Sequence, residues 1–262
     1  MSAELDLPAY LRRIGFAGEL RPDLPTLRAL HQAHAASIPF ENLDIQMGLP
    51  IRLDLASLQD KLVRRRRGGY CFEQNTLFMA ALRAAGFEPS PCEARVRYGT
   101  TDVLPRTHML LLVPLEGADW LCDVGFGGEG LLHPVRMDGG AHAQFASTYR
   151  VAPEGPLRVL QSLHQGAWDD LYAFVPEPRF AVDFEMANHF TGTHPESRFV
   201  KTLTAQLPGP EVRRILRNRS YAEIRAGAVE GRELAPEEVI PTLREVFGLD
   251  VPEGTRFRAF GE

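Results

Sequence analysis

Cysteine is scarce in this chain: there are three in 262 residues, Cys71, Cys92 and Cys122, and their spacing pairs none of them. That excludes a disulfide-stapled scaffold and suits a reducing cytoplasm. Cys-x-x-Cys, His-Glu-x-x-His and carboxylate-rich calcium loops are all missing, so no metal is expected. His31 and His34, and separately His189 and His194, come nearest to a ligand pattern, but no further ligand accompanies them. No long apolar run opens the chain: Met1 through Phe16 contains Glu4, Asp6, Arg12 and Arg13, so neither a signal peptide nor a membrane span is expected. No Gly-x-Gly-x-x-Gly opens a βαβ unit, which excludes that dinucleotide fingerprint. Internal repeats and low-complexity stretches are not evident. Positive charge is not in excess either. A net charge of -5 argues against a nucleic-acid partner, although local basic runs occur at Arg64 to Arg67 and at Arg213, Arg214, Arg217 and Arg219.

What remains is an ordinary globular composition, 44% hydrophobic and 24% charged, on a chain long enough to bury a sizeable core. Residues 1–86 are helix-rich: Pro25 to Ala36 and Leu55 to Arg66 have helical spacing, with Pro25 in a first turn and Pro39 just beyond an end. Residues 87–185 turn to strands, with turns recurring at Gly117, Gly139-Gly140, Gly155-Pro156 and Gly166. Residues 186–262 read as a connecting region, short strands from Phe199 to Ile224, and a helix at Pro236 to Phe247, together a small α/β lid.

One block stands out from this background, Arg67-Gly68-Gly69-Tyr70-Cys71-Phe72-Glu73-Gln74-Asn75. The two glycines allow a tight turn, and the stretch on to Ala85 reads as a buried helix stopped by Gly86. Cys71 therefore sits at a helix start, where free N–H groups and the dipole favour a thiolate. Cys92 and Cys122, in strand-like runs, read as small buried hydrophobes. Placement alone leaves Cys71 between packing and catalysis, because a helix-start thiol without a base is only mildly activated.

A second segment offers the base. The apolar runs Thr107 to Val113 and Ala118 to Val124, separated by Pro114-Leu115-Glu116-Gly117, predict a β-hairpin with a four-residue turn. If Val113 faces Ala118, then His108 faces Asp123 on one face of the sheet, and the carboxylate can hold the imidazole. Nucleophile, base and orienting carboxylate are the parts of a Cys-His-Asp triad, which assembles in space rather than along the chain.

These residues resemble the arylamine N-acetyltransferase family. The resemblance rests on Ile38-Pro39-Phe40-Glu41-Asn42-Leu43, the cysteine block, His108, Asp123-Val124-Gly125-Phe126-Gly127-Gly128, and Asn188 through Phe199 with its Thr193-His194-Pro195. It implies an α+β fold with an N-terminal helical bundle, a central β-barrel and a C-terminal α/β lid around a cysteine-proteinase-like catalytic core. It implies transfer of acetyl from acetyl-CoA to an aromatic amine or hydrazine through acetyl-Cys71, with Cys71, His108 and Asp123 as the triad.

The glycine loop Gly125, Phe126, Gly127 and Gly128 is either a post-strand turn or, as the resemblance suggests, a close backbone approach to acetyl-CoA with N–H groups pointing at its anionic or pantetheine parts. Phe126, Phe40, Val96 and Phe199 are then the expected walls of the acceptor pocket. The four-arginine run is either a solvated helix face or, in part, an attraction for CoA phosphates. The resemblance implies that Arg67 pairs with Glu41 and braces the cysteine loop, as a structural support rather than a chemical participant. Arg106, close to His108, has no role in this reading. No membrane or nucleic-acid partner is expected, and monomer and homo-oligomer stay open. An amide synthase acting on a biosynthetic acyl chain, and a cysteine peptidase or transglutaminase-like enzyme, are the competing functions.

Overall fold

The computed structural model describes residues 4–100 and 102–261, so the first three residues of the Met1–Phe16 segment lie outside it. The chain begins with α1 (Leu7–Ile14), α2 (Leu24–Ser37), α3 (Leu43–Gln46), α4 (Leu55–Leu58), which continues as a π-helical turn (Gln59–Arg64), and α5 (Cys71–Ala84). Asp6, Asp23 and Asp54 start α1, α2 and α4 by accepting the N–H groups of Ala9, Thr26 and Ser57. A two-residue strand, β1 (Phe40–Glu41), lies between α2 and α3.

An antiparallel sheet follows: β2 (Ser90–Val96), β3 (Arg106–Leu115), β4 (Ala118–Cys122), β5 (Val135–Arg136), β6 (His142–Gln144), β7 (Ser147–Glu154), β8 (Leu157–His164) and β9 (Ala167–Phe174). Their order is β5-β4-β3-β2-β9-β8-β7-β6, and β5 returns against β7, so the sheet nearly closes into a barrel. β3 reads as a continuous apolar run because both its faces are covered. Met109, Leu111 and Val113 pack with α5 residues such as Phe78, while Leu110 and Leu112 pack inside the barrel with Tyr149 and Tyr172.

The β3–β4 hairpin corrects the expected register. Its turn is Glu116-Gly117 alone, both residues at positive φ (52° and 74°), the two-residue turn that matches strand twist. Leu115 therefore faces Ala118, Val113 faces Trp120 and Leu111 faces Cys122, a shift of two from the pairing expected with a four-residue turn. Asp123 lies just beyond β4 and is not directly opposite His108. Because the shift is even, the side-chain alternation is preserved.

The region expected as a connection is also different: it contains α6 (Ala181–Thr193), a 13-residue helix. Only Phe184 and Thr191 of it are buried, whereas Val182 and Met186 face outward, so the sequence carries no apolar stripe. Phe199 falls in α7 (Arg198–Lys201), not in a strand. The second sheet is formed by β10 (Thr204–Leu207), β11 (Arg213–Arg217), β12 (Ser220–Arg225) and β13 (Ala228–Glu233), ordered β1-β10-β11-β12-β13. α8 (Val239–Glu245) covers it.

β1 thus belongs to the last sheet although it comes from the first part of the chain. Phe40 pairs with Gln206 and also bridges to Gly69 of the cysteine block. Asn42 extends this junction, donating to the carbonyls of Phe199 and Thr202 at 2.8 Å each and accepting the N–H of Thr204 at 2.8 Å. Leu43 packs in one cluster with Leu203, Leu216, Leu243 and Phe257.

Candidate active site

The cysteine loop is held from below by charge. Arg67 reaches Glu41 at 2.8 Å and Asp44 at 3.0 Å, and Lys61 reaches Asp44 and Glu73 at 2.7 Å each. Burial opposes the charge on Lys61, but Glu73, Glu41 and Asp44 outweigh it and hold the ammonium above its usual range. Glu73 also accepts the N–H of Tyr70 at 3.1 Å, closing the first turn of α5. Gly68 is required because a Cβ there would collide with the Pro39 carbonyl. Arg64 and Arg65 pair with Asp60 and remain exposed, so Arg67 alone of that run turns inward. Arg106 pairs with Glu93 at 2.7 Å.

Cys71 emerges at the start of α5, 4% exposed. Among the described residues, the N–H groups of Cys71 and Phe72 have no acceptor, as a first helical turn dictates. The thiol donates to the Thr107 carbonyl at 3.7 Å and stands near enough to the His108 ring to help raise its pKa. His108, 3% exposed, donates from Nε2 to Asp123 Oδ2 at 2.7 Å, which leaves Nδ1 for the sulfur. Burial disfavours the imidazolium, but the Asp123 carboxylate outweighs burial and holds the His108 pKa above its ordinary value.

Asp123 is fully buried, and its carboxylate is satisfied on both oxygens. Oδ2 accepts from His108 and from the Tyr172 hydroxyl at 2.9 Å; Oδ1 accepts from Asn75 Nδ2 at 3.0 Å and from the Gly125 N–H at 2.9 Å. Burial works against this charge; His108 and these donors hold its pKa below the usual value. The backbone is fixed as tightly: the Asp123 N–H donates to His31 Nε2 at 3.0 Å and the Val124 N–H to Asn75 Oδ1 at 3.2 Å.

The glycine loop then passes hard against α5. A Cβ on Gly125 would come within 2.7 Å of the Cys71 Cα and 2.8 Å of Asn75 Nδ2, so only glycine permits this approach. The expected cradle of N–H groups is partly committed inside the protein: Gly125 donates to Asp123, and Gly128 donates to Gln206 Oε1. Among the described residues, the N–H groups of Phe126 and Gly127 have no acceptor. Arg213 grips the far side, donating to the carbonyls of Gly128 at 2.7 Å and Gly130 at 2.8 Å and to the Tyr149 hydroxyl at 3.0 Å.

The aromatic residues fall into two groups. Phe126 sets its ring edge against His108, centroids 5.2 Å apart, and touches Tyr172 at 5.1 Å. Phe199 lies 5.9 Å from Phe40 and 5.7 Å from Tyr70, the residue before the thiol. Val96 is the strand partner of Tyr172.

Sequence reasoning missed Asn75, Tyr172, Gln206 and Arg213, and it considered His31 and His34 only as metal ligands. Asn75 stood in the cysteine block itself, four residues after the thiol and so on its face of α5. His34 accepts from the Tyr10 hydroxyl at 2.7 Å and donates to Gln74 Oε1 at 2.7 Å, and burial drives its pKa down to about 3. Among the described residues no cluster of three or more His, Cys, Asp or Glu is arranged for a metal ion.

The chain is similar to known proteins over most of its length. A family model described as N-acetyltransferase matches residues 23–256. An arylamine N-acetyltransferase of Mycolicibacterium smegmatis is 41% identical over 94% of this chain and 93% of its own. The solved arylamine N-acetyltransferase of M. tuberculosis superposes with a TM-score of 0.90 at 39% identity, covering 94% of each chain. That of Mycobacterium marinum, solved in complex with CoA, gives 0.88 at 38% identity over 93% of each chain.

Proposed function

Because the chain belongs to the arylamine N-acetyltransferase family, we propose that it moves acetyl from acetyl-CoA to aromatic amines or hydrazines through an acetyl-Cys71 intermediate, with His108 as base and acid and Asp123 as the orienting carboxylate. The observation that carries this reading is the buried His108 ring held 2.7 Å from the Asp123 carboxylate, with the helix-start thiol of Cys71 close enough to act on it. His108 Nδ1 takes the thiol proton, and the thiolate attacks the thioester carbonyl. The free N–H groups of Cys71 and Phe72 stabilise the oxyanion. As the carbon–sulfur bond to CoA breaks, the departing thiolate takes the proton from His108. The amine then attacks acetyl-Cys71, gives its proton to His108, and expels the Cys71 thiolate.

Phe126 and Gly127, whose N–H groups are free, are the part of the glycine loop assigned to acetyl-CoA, while Phe126, Phe40, Val96 and Phe199 are assigned to the acceptor. Residues 1–86 supply the nucleophile and residues 87–185 the base and carboxylate. Residues 186–262 supply Gln206 and Arg213, which hold the glycine loop. The three free cysteines fit a reducing cytoplasm. No described helix is long and apolar enough to cross a membrane.

Rapid quench after mixing with acetyl-CoA, followed by intact and peptide mass measurement, tests the mechanism. One acetyl group on Cys71, released on adding an arylamine, with parallel-line kinetics in both substrates, is expected. Intersecting lines with no acetylated protein would overturn the covalent route. Acylation by a peptide instead of acetyl-CoA would favour a peptidase or transglutaminase-like enzyme.

A further inference from the structure

His31 is a fully buried ring on α2 that the reaction does not use. Its two partners have fixed roles: the backbone N–H of Asp123 can only donate, to Nε2 at 3.0 Å, and the Leu132 carbonyl can only accept, from Nδ1–H at 3.1 Å. The ring is therefore a neutral Nδ1–H tautomer. Its partners are the two ends of the Asp123 to Leu132 segment, which contains the whole glycine loop. The ring also sets its face or edge at 90° to Phe78, centroids 5.6 Å apart, which fixes its plane. The titratable groups acting on it are Asp123, His133 and His34, and burial lowers its pKa to about 4.

We propose that His31 is a positioning residue: it staples the base of the loop and sets where the Asp123 carboxylate meets His108. This rests on the Cys71-His108-Asp123 reading. The N–H groups of Val124 and Gly125 are held by Asn75 and by Asp123 itself. The Asp123 N–H is the one anchored to α2. Without an acceptor that amide is buried and unsatisfied, and the backbone that carries the carboxylate loses its anchor to α2, which lets the carboxylate move relative to His108.

The test compares the wild type with His31→Gln, whose amide oxygen can take the place of Nε2, and His31→Phe, which keeps volume without an acceptor. Cys71 acetylation is followed by rapid quench, Cys71 alkylation by iodoacetamide is followed against pH, and circular dichroism monitors folding. Removing a group that supports a functional residue from behind typically costs about 10–100-fold at metal sites, and His31 stands behind Asp123 in the same way. His31→Phe should lose acetylation rate on that scale at unchanged KM for acetyl-CoA. The pH of half-maximal alkylation should rise, because a displaced carboxylate no longer supports the imidazolium beside the thiolate. His31→Gln should restore both.

A folded His31→Phe with wild-type rate and profile would overturn the proposal, and so would a folded His31→Gln as impaired as His31→Phe. Should His31→Phe not fold, His31→Asn, too short to reach the Asp123 N–H, carries the same comparison. If wild-type Cys71 itself takes no acetyl group, the triad reading fails. If it does and the variants match it, only the role of His31 fails.

Discussion

The two loops that meet at His108 are stabilised by opposite kinds of chemistry. Below Cys71, Glu41, Asp44 and Glu73 are interleaved with Arg67 and Lys61, so charges largely cancel among themselves. Around Asp123, the supports are neutral: an amide, a phenol, a backbone N–H and the His31 ring behind it. An ionic brace on the carboxylate would compete with His108 for its charge. Neutral donors satisfy its lone pairs while leaving His108 as the partner in direct contact that can take a positive charge. The thiol side is built for rigidity, and the carboxylate side for directing one negative charge.

The sharpest way to break this contrast is Asp123→Asn, which keeps shape but removes the charge and risks the wrong imidazole tautomer. By analogy with the serine triad, Cys71 acetylation should fall by about 10⁴ in a protein that stays folded, read by rapid quench and circular dichroism. A near-normal rate would remove Asp123 from the reaction.

On the ionic side the effect should fall on stability instead. Glu41→Gln leaves part of the buried Arg67 charge uncompensated, a change that typically costs about 3–5 kcal/mol. Urea unfolding should show that loss, and the folded fraction should still acetylate Cys71. A variant as stable as the wild type would show that the buried ions are dispensable.

A third experiment uses pH. His34 is neutral in the fold, with its pKa driven to about 3, and binds a proton on unfolding below an ordinary histidine pKa of about 6.5. Its contribution is therefore complete above that pH and drains away as pH falls toward the folded value. Between about pH 6.5 and 4.5 the loss is on the order of 2 kcal/mol. Urea unfolding at both pH values should show a smaller acid loss in His34→Gln, and an identical loss would show that His34 does not carry it.

The smallest effect should come from Tyr172→Phe, which removes one of four donors to the Asp123 carboxylate. A hydrogen bond to a charged group is worth about 1.5–3 kcal/mol, so acetylation should slow by at most about 10- to 150-fold. If the rate does not change, the remaining three donors suffice.

The two sides also differed in how much the sequence disclosed. The cysteine loop is contiguous, and its turn and helix start follow from local residue types, whereas the Arg67–Glu41 pair, 26 residues apart, came from the family resemblance. The His108–Asp123 contact was foreseen with the wrong register; it was preserved because an even shift keeps the same face. The rest of the carboxylate's setting was not legible, because it arrives from far away: Tyr172 is 49 residues from Asp123 and His31 is 92. Such contacts leave no periodicity to read. The same holds for α6, whose outward Val182 and Met186 erase the stripe by which a surface helix is recognised.

The pairing of β1 with β10 carries a consequence for biosynthesis. Asn42 waits for carbonyls 157 and 160 residues further on, and Phe40 waits for Gln206. A chain leaving the ribosome therefore makes its nucleophile early but cannot finish the loop around it until the last sheet is translated. During that interval the thiol lacks its ordered surroundings, so β1 pairing makes the appearance of a competent site a late event in the life of the nascent polypeptide.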